Sequence, residues 1–295
     1  MIRFFLYSLS LVSLKILYLI SNFCYYLLYF IFKYRRQVVH ENLKKSLPHL
    51  NSQELLRTEK HFYRNFCDNI VEILKLQSIS KKELHNHIDA DYSALEQLIA
   101  QNKNCHLYMG HQFNWEWANA HIASVLTTSN IIVAYKPLSS NLFNDLMIKI
   151  RSRFGSKMIA ARNISKEIMQ FSEKNHILVM VADQNPTIPE KSFWTTFLSQ
   201  KTAFISGSEL KTASQKTACF FANSIRVGRG KYKFVITPLF DFSEPYNIGS
   251  VTRLFSEHLE QAIILNPENY LWTHKRWKHK FQENFKKRWI GKPTL

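Results

Sequence analysis

His176–Ala182 reads HILVMVA, six apolar side chains in a row behind one histidine. A strand with one wet face alternates polar and apolar residues. An unbroken run is a strand buried on both faces, which is the condition inside a parallel sheet covered by helices. Cys105–Met109 (CHLYM) has the same character and breaks at Gly110. Around these two runs the apolar period keeps switching between strand and helix spacing. Helices are expected at about Phe113–Leu126, Asn141–Phe154, Ile164–Glu173, Phe204–Ser214, Ser250–Leu265 and Tyr270–Trp289. Further strands are expected at Ile131–Tyr135, Lys157–Ala160, Ala218–Val227 and Lys231–Leu239, the last two turned by Gly228 and Gly230. This alternation predicts an α/β domain with a mostly parallel sheet flanked by helices.

Two segments precede it. Residues 1–33 carry few charges, and Ile16–Phe32 is an uncharged run of 17 residues. At 1.5 Å per residue this spans about 25 Å, close to the roughly 30 Å of a hydrocarbon core. Lys33, Arg35 and Arg36 follow directly, so the segment reads as a membrane anchor with the rest of the chain on the cytoplasmic side. Residues 34–102 form a helical N-terminal part of the domain that runs over 34–295. Asn51 with Glu54 and Ser80 with Glu83 are capping boxes, and Phe62, Phe66, Ile70 and Ile73 make an apolar stripe. Residues 103–295 form the α/β part. Its last stretch, with Trp277, Phe281, Phe285 and Trp289 at i, i+4 spacing among lysines, predicts a basic amphipathic helix.

The chemistry concentrates after Gly110. His111 is followed five residues on by Glu116, within GHQFNWEW. On an ideal helix five residues leave two side chains about 140° apart, so the pair can meet only with His111 on the loop and Glu116 in the first turns. A carboxylate against one imidazole nitrogen fixes the tautomer and leaves the other nitrogen free to take a proton. With 12 His and 22 acids in 295 residues, the bare spacing arises about once by chance. His49–Glu54 is such a match, with no strand before it. Arg151 and Arg153 end one helix and Arg162 begins the next, where they could either complement a helix dipole or grip phosphate. Asp183 and Gln184 follow the buried strand, at the sheet edge where sites collect.

Charge narrows the partners. Thirty-nine Lys and Arg against 22 Asp and Glu leave a net +17, which calls for polyanionic company. No nucleic-acid-binding signature, GxGxxG or P-loop is present. The four cysteines are scattered without a CxxC pair, so no metal site is expected, and free thiols fit a reducing compartment.

Taken in order, the anchor, GHQFNWEW, RSRFG, VADQNP and PENYLWTHKRWK resemble the lipid A biosynthesis (late) acyltransferases of the lysophospholipid acyltransferase superfamily. The resemblance covers nearly the whole chain. The most specific part is Pro267-Glu268-x-Tyr270-x-Trp272-x-His274-x-Arg276, and the segment after Asp183 departs by lacking a frequent glycine. It implies acyl transfer, without cofactor, from an acyl carrier protein to a hydroxyl of a phosphorylated glycolipid at the anionic inner membrane. It also implies His111 and Glu116 as catalytic residues, with Asn114, Arg151, Arg153, Arg162, Asp183 and Gln184 binding substrate. A lysophospholipid or amino-acid lipid acceptor, or a lipid-binding protein without catalysis, fits the same residues.

Overall fold

The computed structural model of the protein describes residues 1–171 and 175–291. The alternating pattern builds one seven-stranded sheet and one separate hairpin. In chain order the strands are β1 (Ile88–Ala90), β2 (Cys105–Met109), β3 (Asn130–Tyr135), β4 (Lys157–Ala160), β5 (His176–Val181), β6 (Phe193–Phe197), β7 (Gln200–Phe204), β8 (Ala218–Gly228) and β9 (Lys231–Phe240). The sheet runs β1-β9-β8-β2-β5-β3-β4, and every neighbouring pair is parallel except β8 with β9. The two buried runs, β2 and β5, lie side by side at its centre.

Side-chain alternation along these strands feeds two cores. Leu107, Met109, Ile177, Val179, Ile131 and Val133 point to one face. Tyr108, Leu178, Met180 and Ile132 point to the other. The helices are α1 (Ile2–Leu11), α2 (Leu14–Tyr26), α3 (Arg36–Ser46), α4 (Ser52–Lys75), α5 (Lys81–His85), α6 (Ser93–Ala100), α7 (Trp115–Val125), α8 (Asn141–Ser152), α9 (Ile164–Glu167), α10 (Ser206–Gln215) and α11 (Ser250–Leu265). Trp117 and Ala120 of α7 with Ile150 of α8 close the first core. Val251, Phe255 and Leu259 of α11 with Phe62 and Tyr63 of α4 close the second.

Four expectations need correction or extension. The helix expected over Ile164–Glu173 is one α turn followed by a 3-10 segment, Ile168–Phe171, and its expected end lies outside the described residues. The hairpin β6–β7 was not foreseen. It occupies the segment after Asp183, where Phe193, Trp194, Phe197 and Phe204 are buried. The basic amphipathic C-terminal helix does not form. Among residues 270–291 only a 3-10 stretch, Glu283–Arg288, is regular. Its backbone is spent elsewhere: Leu271 N–H donates to His111 O at 3.1 Å and Ile290 N–H to Trp194 O at 2.8 Å. The aromatics at i, i+4 instead clasp the hairpin, with Phe285 stacked on Trp194 at 5.1 Å.

The fourth concerns the N-terminus. Leu14–Ile31 is long and apolar enough to cross a membrane. Yet one face of it is part of the domain. Leu17, Tyr25 and Tyr29 are buried, and polar bonds tie the segment to α4. Tyr18 donates to Glu72 at 2.9 Å, Ser21 to Asp68 at 2.6 Å, and Lys75 to the Ser10 carbonyl at 3.2 Å. Leu19, Phe23, Tyr26 and Phe30 point outward.

Candidate active site

The site follows from register. In the parallel pair β2–β5, Met109 faces Val181, and the Ala182 N–H reaches back to the Met109 carbonyl at 3.0 Å. His111 and Asp183 each lie two residues past those partners, so the same offset brings them together at the carboxyl edge of the sheet. Gly110 makes the exit possible by clearance. A Cβ there would sit 2.4 Å from Cδ1 of Leu259, which is fully buried beneath it.

Asp183 holds the histidine with both oxygens. The His111 N–H donates to Oδ2 at 2.9 Å, and Nδ1 lies 2.5 Å from Oδ1. Nδ1–H therefore points at the carboxylate, and the Nε2 lone pair accepts from the Gln184 side-chain amide at 2.9 Å. The imidazole is 17% exposed and the carboxylate 1%, so the base meets solvent while the acid behind it does not. Burial alone would raise the pKa of Asp183. The charge and two hydrogen bonds of His111, with Arg276 behind, outweigh it and hold the carboxyl down at about 2.

The segment 267–276 clamps this loop from the other side. Phe113 N–H donates to Asn269 O at 2.9 Å, and Gln112 bridges to Tyr270. Arg276 is buried and donates to Ala203 O at 2.7 Å, tying the clamp to β7. Burial lowers its pKa, opposed by Tyr270 and Asp183. His274 is pushed down to about 4 by burial, so it stays neutral and accepts the Asn185 N–H at 3.3 Å. The clamp residues Tyr270, His274 and Arg276 were expected only as a family signature. Tyr270 bridges to the His111 loop, and His274 and Arg276 bond to Asn185 and Ala203, contacts between segments far apart in sequence that have no local signal.

Other expected residues sit differently. Glu116 does not hold His111. Its buried carboxylate takes a bidentate grip from Arg151, with Nη2–Oε1 at 2.7 Å and Nε–Oε2 at 3.0 Å. His111 is on the loop and Glu116 in the first turn of α7, as a direct pair would need, but Arg151 takes up the Glu116 carboxylate and Asp183 takes up His111. Arg151 lies over the Trp115 ring at 4.7 Å, and that ring meets His111 edge-on at 6.2 Å. Glu116 thus reaches the histidine through two side chains. Asn114 is fully buried and caps α7, its Oδ1 accepting from Trp117 N–H and its amide donating to Glu72 at 3.1 Å.

Arg153 donates to the carbonyls of Leu76 and Ile79 at 2.7 and 2.6 Å, closing the chain that leaves α4. Arg162 is exposed just past β4, three strands from β2. At about 4.8 Å per strand that is roughly 14 Å from the line of β2, too far to touch an atom on His111. Arg153→Ala is accordingly expected to cost about 1–3 kcal/mol of stability, by leaving two carbonyls without donors, while kcat/KM stays near wild type. Denaturant melts alongside kinetics check this, and a selective loss of kcat with unchanged stability would contradict it.

Among the described residues no group of three or more His, Cys, Asp or Glu side chains is gathered that could hold a metal ion. A search of curated proteins finds no match. The family model described as bacterial lipid A biosynthesis acyltransferase matches residues 2–279.

Proposed function

Since the chain belongs to the bacterial lipid A biosynthesis acyltransferases and is an acyltransferase, we propose that it moves a fatty acyl chain from an acyl carrier protein thioester to a hydroxyl of a lipid A precursor, with His111 as general base oriented by Asp183. The observation that carries this is the two-point hold of Asp183 on His111, which leaves Nε2 with a lone pair on a partly exposed ring. An acceptor hydroxyl taking the place of the Gln184 amide would give its proton to Nε2 as its oxygen attacks the thioester carbonyl. The C–S bond then breaks, and the leaving thiolate takes the proton back from His111. The imidazolium formed between these steps is stabilised by the Asp183 carboxylate.

Glu116 and Arg151 serve as positioning residues in this reading, setting Trp115 against His111. Glu116→Gln and Arg151→Ala are each expected to lower kcat/KM about tenfold, roughly 1.4 kcal/mol. The double variant should be no worse than either single one, because both break the same pair. Additive losses would mean that the two act separately.

The acceptor side fits a lipid. The outward apolar face of α2, in a chain of net +17, supports attachment in the plane of the anionic cytoplasmic face of the inner membrane, since the inward face is already bonded to α4. Purified protein, an acyl carrier protein thioester and a phosphorylated glycolipid acceptor, followed by mass spectrometry, test the proposal. The expected result is acceptor heavier by one acyl group with free thiol released. A thioester left intact with every lipid acceptor would overturn it.

A further inference from the structure

A cleft of about 240 Å³ opens between α4, the β8–β9 turn and the start of the clamp, separate from the His111–Asp183 pair. Its lining includes His61, Arg64, Arg226, Arg229, Asn266 and Glu268. The volume is below that of a site for a drug-sized molecule, and it suits a head group. The charge is unevenly paired. Arg64, Arg226 and Arg229 share the wall with Glu268; behind it Asp68 is bonded to both Arg226 and Arg229 at 2.6 Å, and Glu72 faces Arg226. Arg64 lies 5.2 Å over the Tyr25 ring and has no carboxylate partner among the described residues. The Nη1 group of Arg229 likewise has no acceptor among the described residues, whereas its Nη2 bonds Tyr18 O and Asn22. Arg226 is thus fully bonded, to Asp68, Asn65 and the Gly228 carbonyl, whereas Arg229 keeps its Nη1 group and Arg64 its charge for a ligand.

Location gives the identity. Arg64 and Arg229 are both seated on α2, whose outward face carries Leu19, Phe23 and Tyr26. A head group in the cleft would have its chains beside an apolar helix. Asn269, at the back of the cleft, donates to the Phe113 carbonyl at 2.7 Å, so cleft and His111 flank the same loop. We propose that this cleft binds a phosphate of the lipid acceptor, and so sets which hydroxyl reaches His111. Guanidinium pairs suit phosphate oxygens through paired N–H donors. The identity of that lipid as acceptor rests on the function proposed above; binding of a lipid phosphate does not.

Two measurements separate these. Native mass spectrometry of the full-length protein in detergent compares phosphatidic acid with diacylglycerol, which lacks the phosphate, and with inorganic phosphate as competitor. Wild type and His111→Ala are expected to retain phosphatidic acid and not diacylglycerol. Arg64→Glu and Arg229→Gln should each raise the Kd at least about tenfold, the loss of one charge-assisted contact. Equal retention of diacylglycerol, wild-type binding in both variants, or displacement by equimolar inorganic phosphate would overturn the lipid-phosphate site. In the transfer assay, Arg64→Glu should raise KM for the phosphorylated acceptor about tenfold with kcat and donor KM unchanged. A fall in kcat at unchanged KM would remove the acceptor from the cleft. If wild type transfers nothing while phosphatidic acid still binds selectively, the proposed function fails and the cleft stands.

Discussion

Asp183→Asn is expected to lower kcat by about 10³-fold or more, matching His111→Ala, because it turns the histidine the wrong way round. The carboxylate accepts twice, from the His111 N–H and from Nδ1–H. A carboxamide can accept through its oxygen from only one of them. If the oxygen keeps the backbone N–H, its NH₂ faces Nδ1, which must then accept, and the proton moves to Nε2. The lone pair meant for the acceptor hydroxyl is gone. The charge that would stabilise an imidazolium is gone as well. Single-turnover transfer rates, with near-UV circular dichroism to confirm the fold, check both variants. The ranking is the sensitive part. Direct pairing of Glu116 with His111 predicts Glu116→Gln to be the more damaging, whereas the observed geometry predicts Asp183→Asn. Glu116→Gln outdoing Asp183→Asn would return the orienting role to Glu116.

That reversal shows what the chain makes legible. Strand identity is local: β2 and β4 fall where the apolar runs end, and α11 begins and ends as its periodicity predicts. His111 is legible too, since a glycine after a buried strand marks an exit at the sheet edge. Its partner is not, because adjacency of β2 and β5 is a tertiary fact, and spacing along the chain favours the nearer acid. The arginines show the same limit. Position on a helix, whether at its end as for Arg153 or in its middle as for Arg64, cannot tell a guanidinium that bonds two carbonyls from one that faces a cleft. The tail misleads for a different reason. Aromatics at i, i+4 satisfy a helical stripe, yet here they alternate around the hairpin β6–β7 while the backbone bonds to other segments. Periodicity reports which side chains are buried together, and only on a regular element does it also report the element.

Deleting residues 1–32 is expected to abolish the folded state, though the segment reads in isolation as a detachable anchor. Leu14, Leu17, Tyr25 and Tyr29 are buried against the domain. Full burial of an apolar side chain stabilises by about 1.5–3 kcal/mol, so four such groups approach the roughly 5–15 kcal/mol by which a whole domain is stable. The polar losses add to this. Without Ser21 and Tyr18, Asp68 and Glu72 each lose a donor, and Lys75, buried on α4, loses the carbonyls of Ser10 and Val12. Glu72 depends on such donors, because burial already raises its pKa and hydrogen bonds from Tyr232, Tyr18 and Asn114 oppose that rise. Limited proteolysis and thermal melts in detergent are the measurements, and a truncated protein with a cooperative melt near wild type would contradict the argument. The outward face should behave differently. Replacing Leu19, Phe23 and Tyr26 together by serine leaves every one of those buried contacts in place. It should therefore preserve the melt and reduce partitioning into anionic vesicles, which separates the helix's part in the fold from its part at the membrane.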